Sequence, residues 1–93
     1  MKPVITVKFY PPLKELLGVA SAEISASDVA DALNVLAEKY GSRFSSEVMN
    51  PDGTIKNYYI LFVGGRIIDQ KNPSAVKLET GDLIEIFPPV AGG

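Results

Sequence analysis

The chain has 93 residues, 46% of them hydrophobic, and a formal net charge of −2 with acidic and basic residues interspersed. That describes one domain with a single modest core, without the basic footprint that nucleic acid or an acidic membrane surface requires. There is no cysteine and no histidine, which excludes disulfides, a thiolate nucleophile and sulfur-ligated metal, and removes the commonest general base. Lys2-Pro3 leads into only a short apolar stretch broken at Lys8. No secretory signal or membrane span is expected, and the expected compartment is the cytoplasm.

Residues 3–10 alternate, with Ile5, Val7 and Phe9 on one face and Val4, Thr6, Lys8 and Tyr10 on the other. This β-branched and aromatic mix predicts a strand, stopped by Pro11-Pro12. Leu13 to Leu17 reads as one helical turn capped by Gly18. The weaker alternation of Ala20, Ala22 and Ile24 predicts a returning strand. Ser25-Ala26-Ser27-Asp28 offers helix-start chemistry, Ser25 and Asp28 being spaced to cap reciprocally. Val29, Leu33, Leu36 and Tyr40 then recur at helical spacing, with Gly41 at the position of a left-handed C-terminal cap.

Phe44, Val48 and Met49 suit a short second helix beside the first. Asn50-Pro51-Asp52-Gly53 is strong turn chemistry. Residues 58–63 are apolar on both faces and predict a central or covered strand. Gly64-Gly65 is a tight turn into Arg66-Ile67-Ile68, without the lysine and spacing of a phosphate loop. Asn72-Pro73 marks another turn, residues 76–78 a very short strand, and Thr80-Gly81-Asp82 the turn into the last strand. With one long helix to cover it, the sheet must be mixed. If the first and last strands lie side by side they run parallel, in a β-grasp (α+β) of four to five strands. Ile5, Val7, Phe9, Leu61, Val63, Ile84 and Ile86 would then face Val29, Leu33 and Leu36, each worth roughly 1.5–3 kcal/mol on burial.

The most informative stretch is 82–93. Leu83, Glu85 and Phe87 point one way and Ile84 and Ile86 the other, until Pro88-Pro89 ends the ladder. Val90-Ala91-Gly92-Gly93 follows, and 88–93 is expected to be a free tail on a single domain spanning 1–93. Two final glycines alone arise in about one chain in 200, so the signal is their union with the alternating strand and the Pro-Pro stop. A terminal carboxylate, with its pKa near 3.3–3.7, is ionised and a poor electrophile. To form an amide or carry sulfur it must first be activated, most simply as an acyl-adenylate. Glycines without a Cβ let the tail thread a narrow channel to reach the activating site. Tyr10, Ile67 and Phe87 are expected on the sheet face away from the helix. Scattered surface apolar residues are ordinary, but aromatics grouped at a tail base suit a partner-binding patch, continued by Pro88, Pro89, Val90 and Ala91.

Phe87-Pro88-Pro89-Val90-Ala91-Gly92-Gly93, preceded by Thr80-Gly81-Asp82, resembles the C-terminus of the MoaD/ThiS family of ubiquitin-like sulfur carriers. Val7-Lys8-Phe9-Tyr10 with Leu13-Lys14-Glu15-Leu16-Leu17-Gly18 is similar to that family's opening, and the likeness is greatest to the MoaD members, small subunits of molybdopterin synthase. The resemblance implies a carrier that is not an enzyme on its own. In that reading a ubiquitin-activating-like adenylyltransferase uses ATP to adenylate Gly93, and sulfur converts it to a thiocarboxylate. The sulfur then passes to a cyclic pterin precursor in complex with the large synthase subunit. The chain itself holds no cofactor or metal, and Gly92 and Gly93 carry the chemistry. The alternatives are a ubiquitin-like modifier joined to lysines through Gly93, a thiamin-type sulfur carrier, which the Phe-Pro-Pro-Val tail disfavours, and a binding module with an inert tail.

Overall fold

The computed structural model describes residues 2–57 and 59–88. Its strands are β1 (Val4–Phe9), β2 (Ser21–Ser25), β3 (Ile60–Val63), β4 (Arg66–Ile67) and β5 (Leu83–Phe87), and its α-helices are α1 (Leu13–Leu17), α2 (Val29–Tyr40) and α3 (Ser42–Val48). They form one sheet in the order β2-β1-β5-β3-β4. β1 and β5 run parallel, in the register Thr6–Leu83 to Phe9–Ile86, and the remaining pairs are antiparallel. This is the expected β-grasp.

The period-two pattern sorts the side chains as alternation requires. Ile5, Val7, Phe9, Leu61, Ile84 and Ile86 are buried with Val29, Ala32, Leu33 and Leu36 of α2 in one cluster, and Val63 packs against it half-buried. Phe44 and Val48 of α3, and Leu13 and Leu17 of α1, close the same core. Phe9 meets Tyr40 edge-on, with centroids 5.9 Å apart. Burial on that side raises the Tyr40 phenol above its usual 10.0.

The start of α2 differs from the expectation. Ser25 ends β2, paired with Val4, and the cap lies three residues on. Asp28 is the N-cap, its Oδ1 accepting the Asp31 N–H at 2.7 Å. Asp31 reaches back to accept the Ser27 N–H at 3.0 Å, and the Lys2 ammonium sits 2.9 Å from the same Asp31 carboxylate. The reciprocal logic of a capping box is kept in a shifted register. At the other end Gly41 has φ 67 and ψ −147, a glycine-only conformation and not the αL cap expected. It closes α2 with a bond from its N–H to the Ala37 carbonyl, and its own carbonyl accepts from Phe44 and Ser45 to open α3.

Gly64 and Gly65, at φ 59 and 82, give the two positive-φ residues of a type I′ hairpin between Val63 and Arg66. One further expectation is corrected. Residues 76–78 make no strand: a 3₁₀ turn (Pro73–Ala75) precedes an isolated bridge from Lys77 to Asp28. β3 is central, as the apolar run predicts, with β5 on one side and β4 on the other. Leu61 is buried, and Ile60 and Phe62 are half-buried on the opposite face, which no helix of the described residues crosses.

Candidate functional site

Because β1 and β5 are parallel neighbours, the chain leaves both strands at one end of the sheet. Tyr10 follows β1 and Phe87 ends β5, so their rings meet on the helix-free face. They stack with centroids 4.6 Å apart and planes 10° from parallel. Phe62, brought alongside by the β3–β5 pairing, approaches Phe87 edge-on at 5.1 Å. These offset and edge-to-face geometries are the favourable ones for aromatic pairs. Ile67 pairs with Phe62 across the hairpin and is 67% exposed. The structure thus brings Tyr10, Ile67 and Phe87 onto one face at the base of Pro88. Pro89, Val90, Ala91, Gly92 and Gly93 lie outside the described residues.

One charged group at this face, Glu85, is one that sequence reasoning passed over. Glu85 lies between Lys8 on β1 and Phe62 on β3, and Tyr10 donates its Oη proton to Glu85 Oε2 at 2.6 Å. That hydrogen bond, then burial and the carboxylate's charge, raise the Tyr10 phenol above 10.0. Lys8 is cross-strand from Glu85, yet its ammonium sits 5.5 Å over the Tyr10 ring, and the ion pairs among the described residues are Lys2–Asp31 and Lys77–Asp28. The Leu83-Ile84-Glu85-Ile86-Phe87 alternation did place Glu85 outward beside Phe87. Its hydrogen bond to a residue 75 positions away could not be read from spacing.

A second feature without a sequence signal is Gln70. β4 lasts two residues, so the edge of β3 below it lacks a strand partner. The Gln70 amide takes that place, accepting the Leu61 N–H at 2.9 Å and donating to the Tyr59 carbonyl at 2.7 Å. Beside it a groove of about 570 Å³ opens between the 50–57 loop and residues 67–71, with Asp52 and Asp69 on its wall. Both carboxylates serve turns: Asp52 accepts from the Thr54 N–H and hydroxyl, and Asp69 from the Lys71 N–H. Among the described residues no group of acidic, histidine or cysteine side chains is placed to hold a metal, and no helix is long and apolar enough to cross a membrane.

Comparison with known proteins gives a model match to the ThiS family over residues 7–93. The chain belongs to the ThiS family. It is 28% identical over 92 residues to small archaeal modifier protein 3 of Haloferax volcanii, the match covering 96% of this chain and 98% of that protein. This ThiS-family chain also superposes on the crystal structure of SAMP1 from Haloferax volcanii with a TM-score of 0.82 at 24% identity, covering 97% and 99% of the two chains. That likeness speaks for the fold alone. A chain in the complex of subunits 1 and 2 of the molybdopterin-converting factor from Helicobacter pylori matches with a TM-score of 0.63 at 28% identity, over 97% and 99%. The five-stranded grasp is therefore shared with a small archaeal modifier protein and with a chain of a molybdopterin-converting factor.

Proposed function

We propose that this chain is a ubiquitin-like protein modifier, joined to lysine side chains through Gly93. The observation that carries the reading is the end-to-end match to a small archaeal modifier protein in a chain whose last residues are Gly92-Gly93. A ubiquitin-activating-like adenylyltransferase first couples the Gly93 carboxylate to ATP, releasing pyrophosphate and leaving an acyl-adenylate. A lysine amine of the target then attacks that carbonyl, AMP leaves, and an isopeptide bond remains. The glycines admit the chain end to the activating site, and the Tyr10–Phe87–Phe62 face with Ile67, Pro88, Pro89, Val90 and Ala91 forms the docking base.

A second reading keeps the activation step and changes the acceptor. Sulfide from the sulfur donor attacks the acyl-adenylate carbonyl and AMP leaves, and the resulting Gly93 thiocarboxylate serves molybdopterin synthesis with the large synthase subunit. The likeness to the Helicobacter pylori complex favours it.

Intact-mass measurement after incubation with the cognate activating enzyme, ATP and a sulfur donor separates the two. Masses of other proteins increased by this chain, with Gly93 linked to lysine on digestion, are expected for the modifier. Exchange of one oxygen for sulfur is expected for the carrier. Deleting Gly93 should lower either product more than 100-fold. Unchanged yield from that deletion would refute both.

A further inference from the structure

Glu85 is out of keeping with its surroundings. On the helix-free face it is half-buried and flanked along β5 by Leu83 and Phe87 and across the ladder by Phe62. Its carboxylate accepts a hydrogen bond from Tyr10 and, among the described residues, has no ion-pair partner. Being only half-buried, it keeps part of its carboxylate open to solvent. A partner that covered the aromatic patch with purely apolar atoms would strip that solvent and leave a buried carboxylate with one neutral donor, a strongly unfavourable outcome.

The geometry points to an arginine of the activating enzyme that ion-pairs with Glu85 when this face docks. This rests on the reading that the chain is activated at Gly93, and adds the chemistry by which the activating partner recognises it. A guanidinium fits better than an ammonium, because its planar fork can bind the carboxylate while its face lies against the surrounding rings. Lys8 is the competing cation on the chain itself, but it is held over the Tyr10 ring. The Glu85–arginine pair is therefore a specificity contact at the centre of an apolar interface, where arginines concentrate binding energy.

Steady-state adenylation by the cognate activating enzyme, followed by ATP–pyrophosphate exchange with the full chain as substrate, tests this. Glu85→Gln keeps the oxygen that accepts from Tyr10 and removes only the charge. It should raise KM for the chain about tenfold with kcat and Tm unchanged, and flatten the rise of KM with salt. Glu23→Gln, an exposed carboxylate on β2, should leave KM within twofold, showing that bulk charge is not the cause. Tyr10→Phe keeps the carboxylate and should retain the wild-type salt dependence, which a purely structural role for Glu85 would not allow. An arginine-to-glutamate change on the enzyme should be rescued by Glu85→Arg and not by Glu23→Arg. Unchanged KM for Glu85→Gln overturns the inference and leaves activation at Gly93 intact. So does a KM increase of the same size for Lys8→Gln, since the chain's own lysine would then be the counter-ion. Absence of adenylation of the wild-type chain removes the activation reading, and this inference with it.

Discussion

The two faces of the sheet are built from alternate residues of the same strands and are finished differently. Ile84 and Ile86 of β5 point inward and are closed over by α2 and its neighbours. Leu83, Glu85 and Phe87, one residue out of phase, point outward and remain half-buried. The inner face is uniformly aliphatic and aromatic, as a core must be. The outer face mixes stacked rings with charged side chains, Lys8, Glu23 and Glu85, a combination that suits the docking surface proposed above. On that proposal one period-two pattern serves stability and recognition at once.

Truncating matched aromatics breaks the comparison most sharply. Phe9→Ala, on the inner face, should cost about 3–5 kcal/mol in denaturant unfolding. Phe87→Ala, on the outer face, should cost only about 1 kcal/mol, the worth of its ring contacts, while raising KM for activation at least tenfold. Equal stability losses for the two would erase the distinction between the faces. Gln70→Ala probes the sheet edge where the faces meet. It leaves the buried-strand Leu61 N–H without its partner, at about 1–3 kcal/mol, and bares an edge that should show as concentration-dependent association in sedimentation. The smallest effect is at Asp31, on the polar side of α2. Its carboxyl lies below the ordinary 3.8, held there first by Lys2 and then by the Ser27 N–H. A carboxylate with a lowered folded pKa adds stability above its unfolded value, and that increment is lost as pH falls through the folded one. Asp31→Asn should therefore be slightly less stable at pH 7, and its stability should fall less than the wild type's below about pH 4.

Much of this architecture is legible from the chain. Alternation in 4–9 and 83–87 gave strand, face and core membership together, because a side chain's face follows from its parity alone. Gly64-Gly65 announced its hairpin, since adjacent positive φ values leave few other uses. Apart from the local conformation of Gly41, the misses depend on partners distant in sequence. Residues 76–78 have strand composition, but only Lys77 meets a ladder partner. The run 58–63 read as central or covered, and β3 is central; apolarity alone does not separate the two. Ser25 has the chemistry to begin a helix, but its pairing with Val4 holds it in β2 and leaves the cap to Asp28. Gln70 and Glu85 gave no local sign, because an amide replacing a strand and a carboxylate meeting a phenol exist only after the sheet has assembled. At the candidate site, the grouping of Tyr10, Ile67 and Phe87 was legible, and the charge at its centre was not.

β5 is the last strand in the chain and the middle strand in the sheet, bonded to β1 on one side and β3 on the other. Without it the described residues hold two separate hairpins, β1–β2 and β3–β4, with no ladder between them. Both ladders that join the two halves of the sheet belong to this one strand, so a proline placed within it would divide the sheet in two instead of fraying an edge.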